Sequence, residues 1–142
     1  KISKLDERFD LEKCFEFLNK QKIVLHNKIY ELSEGEKKIL LFSIGYFTMS
    51  RILVLDNPFS GVGLIAKKEI LNLLRDYMDE NKMIILVTED PLVIKSLADY
   101  VIVLENGRIN TKEDIVELQE RFNTTDIENI LLSIMKGENS ND

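Results

Sequence analysis

The chain contains a single cysteine, Cys14, so it can form no internal disulfide, and that count fits a reducing compartment. Cys14 falls on the apolar side of an expected helix and reads as core. The single histidine, His26, is expected at a surface or interface and is assigned no role. No apolar run is long enough to cross a bilayer, and the longest, residues 39–47, is broken by Ser43 and Gly45. No basic, apolar and cleavage-site succession follows Lys1, so no secretory leader is expected. There is no internal repeat, and the only low-complexity stretch is the polar tail 137–142. Basic residues are in the minority and the net charge is −6, which argues against a broad nucleic-acid or anionic-membrane surface. What is present is enough for one globular domain, 142 residues of which 44% are hydrophobic.

The chain is organised around Ile52-Leu53-Val54-Leu55-Asp56-Asn57-Pro58. An unbroken apolar run bounded by turn formers predicts a strand buried on both faces of a parallel sheet. Asp56 then stands at the carboxyl end of that strand, where open α/β sheets place their ligands. A carboxylate there handles a metal ion or a phosphate, or else only caps the next turn.

Around this strand the periodicities change between helix and strand. Residues 1–10 are charged and without period. Asp10 is expected to cap a helix carrying Leu11, Cys14, Phe15 and Leu18 on one face, followed by a turn at 19–22. Ser33 and Glu36 form a capping box ahead of a nearly all-apolar, hence buried, helix to about Thr48. Lys37 and Lys38 read as a solvated turn. Gly61 and Gly63 permit unusual backbone geometry before an amphipathic helix from about Leu64 to Glu80. Residues 83–87 predict a second buried strand, Asp90-Pro91 a capped helix to about Ala98, and residues 100–104 a third strand. Asn106-Gly107 marks a hairpin returning through Arg108 and Ile109. Two helices close the chain, the first capped by Thr111 with Asp114 three residues on. The second has a Thr125/Glu128 box, Ile127, Ile130, Leu131 and Ile134 on one face, and Gly137 just past its end. Strands separated by crossover helices mean a parallel sheet and an α/β core.

These stretches together resemble the ATP-binding domain of ABC transporters. Leu32-Ser33-Glu34-Gly35-Glu36 is similar to the family signature L-S-G-G-Q, and residues 52–56 resemble its Walker B strand. Ser60-Gly61-Val62-Gly63 stands where the family has its D-loop, and Thr88-Glu89 where it has Thr and the switch histidine. Residues 101–109 resemble the hairpin that follows, and 125–136 the closing helix. Each motif alone is weak, but five in order at the right spacing are specific. The implied fold is α/β, a P-loop NTPase-like parallel sheet with flanking helices that lacks the P-loop strand. The implied organisation is the end of the helical signature subdomain at 1–50, the Walker B half of the ATPase core at 51–110, and C-terminal helices at 111–142.

The resemblance implies that Ser33, Gly35 and Glu36 meet the γ-phosphate of ATP held by a partner's P-loop. A helix N-terminus with free N–H groups suits that task. It implies Ser60, Gly61 and Gly63 as the D-loop and Asp56 as a ligand of Mg²⁺ through water. The implied cofactors are ATP and Mg²⁺. The implied partners are a second nucleotide-binding domain, identical or not, and a transmembrane permease, with no nucleic acid. The implied place is cytoplasmic, peripheral to the inner face of the cell membrane.

The departures from the pattern are equally informative. None of the six glycines opens a G-x-x-x-x-G-K-[ST] phosphate cradle, so the family's P-loop and Q-loop would precede Lys1. Asn57 replaces the Glu that polarises the attacking water, and an amide accepts no proton at neutral pH. Glu89 replaces the switch histidine and would repel a γ-phosphate, although a different loop would let it serve as base. Gly63 replaces the D-loop Asp, and Glu34 adds negative charge to the signature. A degenerate, hydrolysis-deficient ATP-binding fragment is therefore expected. The alternatives are a non-enzymatic interaction or regulatory module that keeps the fold, and, more weakly, an ABC-type ATPase of DNA maintenance, for which no heptads are seen. The absent P-loop strand would lie between strands 83–87 and 100–104. Either another segment or chain fills that gap or the strand order differs.

Overall fold

The chain folds, in a computed structural model that describes residues 7–79 and 81–137, as two units, Lys1–Glu89 and Asp90–Asp142. The expected polar tail beyond Gly137 and the aperiodic residues 1–6 lie outside the described residues.

In the first unit, Asp10 caps α1 (Leu11–Lys20) by accepting from the Lys13 N–H at 3.0 Å. Cys14, Phe17 and Leu18 are its buried stripe. Burial pushes the Cys14 thiol above its ordinary pKa, as suits a core residue. A short 3₁₀ turn (Ile29–Glu31) precedes α2 (Glu34–Phe47), whose last turn closes on Thr48. The two helices meet through aromatic rings. Phe17 lies 6.0 Å from Phe42 and 5.9 Å from Phe47, and Tyr46 stacks on Phe42 at 5.4 Å. Such pairs add about 0.5–1.5 kcal/mol each beyond their buried area. The expectation of all-round burial for α2 holds for Ile39, Phe42 and Phe47 but not for Leu41, which is 66% exposed.

From α2 the chain enters β1 (Ile52–Asp56), then α3 (Leu64–Tyr77) and β2 (Met83–Val87). The strands pair in parallel, Ile52 opposite Met83 through Asp56 opposite Val87. α3 ends earlier than its expected limit at Glu80, itself outside the described residues. Met78 turns to extended backbone, and the Asp79 carboxylate accepts the Asn81 N–H at 2.8 Å, a local turn that replaces helical bonding. Tyr77 is buried at the foot of α3, and its hydroxyl donates to the Ser50 carbonyl.

Burial of β1 and β2 on both faces is not observed. Leu53 and Leu55 are buried, whereas Ile52, Val54, Met83, Ile85 and Val87 are exposed, Val54 at 64%. Strand side chains alternate faces, and only the side carrying Leu53 packs on α2, where Leu53 meets Gly45. The apolar run therefore has one covered side and one bare side.

The second unit begins with α4 (Pro91–Leu97), capped by Asp90, which accepts from Leu92 and Val93 at 3.0 and 3.3 Å. β3 (Tyr100–Glu105) and β4 (Arg108–Asp114) form the expected hairpin, with Asn106 and Gly107 both at positive φ, +48° and +73°. β4 runs further than the turn signal indicates. Thr111 lies inside it, opposite Val103, and does not cap a helix. Asp114 takes that place for α5 (Ile115–Arg121), accepting from Val116 at 2.7 Å. The expected Thr125/Glu128 box is also displaced by one residue. Asp126 caps α6 (Ile127–Met135) by accepting from Asn129 at 3.2 Å, and Thr124 Oγ1 accepts from the Asp126 N–H. A carboxylate outcompetes a hydroxyl here because its charge also opposes the helix dipole. Gly137, at φ +73°, follows α6 as expected. Val101, Val103, Leu118, Ile127, Ile130 and Ile134 form this unit's core. Among the described residues β2 and β3 belong to separate two-stranded sheets, so no third parallel strand extends β1–β2.

Candidate functional site

The end of β1 and the beginning of α2 come together in the first unit. β1 closes on Asp56, whose side chain is exposed. Asn57 then adopts φ +46° while its N–H donates to the Val87 carbonyl at 2.8 Å, which continues the ladder by one bond. Left-handed backbone is costly for most residues and tolerated by Asn. Pro58 and Phe59 turn inward and are buried. Gly61, at φ +73°, brings the chain back out, and Gly63 stands at the N-cap of α3 with no side chain to bond the helix.

The first turn of α2 is built from its own residues. Ser33 Oγ accepts from the Glu36 N–H at 3.3 Å and donates to the Glu36 carboxylate at 2.7 Å. The same carboxylate accepts the Ser33 N–H at 2.8 Å. The Ser33 hydroxyl, then the Ser33 N–H, holds Glu36 below the usual glutamate range. Glu34 is held low by the Lys37 ammonium, 2.7 Å from its carboxylate. Lys37 and Lys38 lie in the early turns of α2, half-buried, and each has a partner. The Ser33 hydroxyl and the Glu34 and Glu36 carboxylates already stand in this first turn, where an external anion would otherwise be stabilised.

Gly35 is buried, not presented to solvent. A Cβ built on it would fall 2.2 Å from the Gly61 carbonyl oxygen. Three residues on, Lys38 Nζ donates to the Asp56 carbonyl at 3.2 Å. The structure thus joins Gly35, Asp56 and Gly61, all expected site residues, and adds Lys38, which the sequence reading missed. Its available signal was the three-residue spacing from Gly35, which puts both on one helix face. Ser33 and Ser60 are exposed, and Glu89 is exposed two residues beyond β2. His26 is at the surface.

Among the described residues no group of three or more His, Cys, Asp or Glu is placed to hold a metal ion. Asp56 fits Mg²⁺ only as a single carboxylate on an ion whose other ligands are water and phosphate, the usual habit of that cation. No helix among the described residues is long and apolar enough to cross a membrane.

No family model matches the sequence. The galactose/methyl galactoside import ATP-binding protein MglA of Vibrio vulnificus is 32% identical over 102 residues, 66% of this chain and 20% of that protein. An ABC transporter ATP-binding protein of Methanocaldococcus jannaschii is 30% identical over 117 residues, 82% of this chain and 21% of that one. The chain matches the C-terminal portion of an ABC transporter ATP-binding domain. The ABC transporter ATP-binding protein YtrB of Bacillus subtilis is 26% identical over 122 residues, 85% of this chain and 42% of that protein. The chain thus spans about a fifth to two fifths of the length of these curated relatives. A solved ATP-binding subunit of an ABC transporter has the same fold, with TM-score 0.76 and 17% identity, covering 91% of this chain and 53% of that one. A dimeric ATP-binding cassette bound to ADP and Pi has TM-score 0.62 and 19% identity, covering 72% of this chain and 44% of its own. The fold is that of the P-loop NTPase-like ABC ATPase domains. α2 carries the residues that resemble the family's signature, and β1 those that resemble its Walker B strand.

Proposed function

We propose that the chain is the C-terminal portion of an ATP-binding subunit of an ABC transporter, coupling ATP binding to transport through a membrane permease, and that it hydrolyses ATP slowly or not at all. It would work peripherally at the cytoplasmic face of the membrane, against a second ATP-binding domain. The observation that carries the deficiency is Asn57, at φ +46° immediately after Asp56 at the end of β1. An amide there can orient a water but cannot take its proton. Glu89 is a poor substitute, because an anion beside the γ-phosphate opposes the charge that develops there. In this reading Ser33, Gly35 and Glu36 face ATP held by the partner, Ser60, Gly61 and Gly63 line the approach as D-loop, and Asp56 meets Mg²⁺ through water. ATP would supply the phosphates that complete the ion's shell.

The test is ATP turnover by this chain mixed with a P-loop-bearing ATP-binding subunit whose own general base has been removed. Turnover should stay far below the ordinary range of roughly 1–10³ s⁻¹. Turnover within that range contradicts the proposal.

A second reading, a non-enzymatic interaction or regulatory module that keeps the fold without nucleotide, is favoured by one observation. The Ser33 hydroxyl, 2.7 Å from the Glu36 carboxylate, is engaged in its own cap. That module would show no Mg-ATP-dependent association with a P-loop partner.

A further inference from the structure

The signature helix and the loop after β1 touch at two points that share one helix face. Gly35 and Lys38 are three residues apart, so they stand side by side on α2. Ile39 and Phe42 continue that face into the core, and both are buried. The face is thus anchored at its inner end and meets the loop at its outer end. At Gly35 the Gly61 carbonyl occupies the space of a Cβ, 2.2 Å from where that atom would be. At Lys38 the ammonium donates to the Asp56 carbonyl at 3.2 Å. The loop is otherwise held by few main-chain bonds, from Asn57 to Val87, Ser60 to Asn57 and Val62 to Phe59. Two of its residues, Asn57 and Gly61, sit at positive φ.

We propose that Gly35 and Lys38 are positioning residues that clamp loop 56–63 to the first two turns of α2, so that the Asp56 main chain and the signature turn move as one body. Lys38 supplies a charge-assisted bond to a carbonyl at the strand end. Gly35 supplies the absence of a side chain where the loop must pass. A displacement of the signature turn is then transmitted to Asp56 rather than absorbed by the loop. This rests on the geometry of the first unit and not on nucleotide binding, so its failure and that of the proposed function are separable.

The experiment is amide hydrogen exchange by NMR on the whole chain without nucleotide, comparing wild type, Lys38→Met and Lys38→Arg. Lys38→Met should speed exchange at Asn57 and Val62 by about tenfold, the scale of one lost charge-assisted bond. Exchange at Cys14 and Leu18 in α1 should stay within about twofold. Lys38→Arg keeps a cationic donor and should return the loop to near wild type. Gly35→Ala should shift the Gly61 and Val62 amide resonances, and Lys38→Met carries the test if that variant does not fold. Loop exchange unchanged in Lys38→Met, equal acceleration in α1, or no rescue by Arg would overturn the proposal.

Discussion

Gly35 is a position where family resemblance and local packing assign different reasons for one residue type. The resemblance places it against a phosphate, whereas the fold places it under the Gly61 carbonyl. Gly35→Ala should destabilise the chain by about 1–3 kcal/mol, the usual cost of overpacking, and denaturant unfolding without nucleotide would register it. A role at phosphate alone predicts no such loss. Asn57 is similarly double. Asn57→Glu would restore a carboxylate but place it at φ +46°, at a cost of about 1–2 kcal/mol, readable in the same unfolding experiment. Glu36 gives a pH dependence. Its folded pKa lies below the ordinary value because Ser33 bonds the ionised form. Between the two pKa values the unfolded state binds more protons, so stability rises with pH there. The contribution is complete above the ordinary glutamate pKa of about 4.3 and is lost as pH falls through the depressed folded value. Asp10 and Glu34 act in the same direction, through Lys13 and Lys37. Acid titration of unfolding midpoints should show a weaker fall for Glu36→Gln than for wild type.

At the scale of elements, the caps show how much was legible in sequence and where legibility stopped. Asp10, Ser33/Glu36 and Asp90-Pro91 cap α1, α2 and α4 as read, because Asp10 stands directly before an apolar-periodic run, Asp90 before Pro91, and Ser33 three residues before its box partner Glu36. At α5 and α6 the reading chose Thr111 and Thr125, and Asp114 and Asp126 cap instead. Several cap formers lie close together there, and only tertiary structure ranks them: β4 extends to Asp114 because its pairing with β3 continues. Asp126→Ala should therefore cost about 1 kcal/mol, and Thr125→Ala or Glu128→Ala within about 0.5 kcal/mol of nothing, by thermal unfolding. β1 was legible as a strand but not in its exposure. An apolar run reports what a strand could bury, not which of its faces has a neighbour. Lys38 escaped notice because a lysine's partner, here the carbonyl of Asp56, is a contact between residues distant in sequence.

On the scale of the whole molecule, the chain matches a portion of an ABC transporter ATP-binding domain, and one face of its parallel sheet is bare. Ile52, Val54, Met83, Ile85 and Val87 make an exposed apolar face on a sheet that, among the described residues, has two strands, both of them edges. Such faces and edges drive association. Sedimentation velocity of the isolated chain should show concentration-dependent self-association, reduced in Val54→Lys and Ile85→Lys with the helical content unchanged. The order of strands and the motifs along the chain were legible because they depend on local periodicity. Among the described residues β2 pairs with β1 alone.

The most direct test of the central claim, that the signature helix of this chain faces ATP held by another domain, is association with such a domain. The chain would be mixed with a P-loop-bearing ABC ATP-binding subunit, its general base removed, and followed by sedimentation velocity with Mg-ATP, with Mg-ADP and without nucleotide. The account predicts a one-to-one complex with Mg-ATP alone. The same sedimentation profile in all three conditions would contradict it.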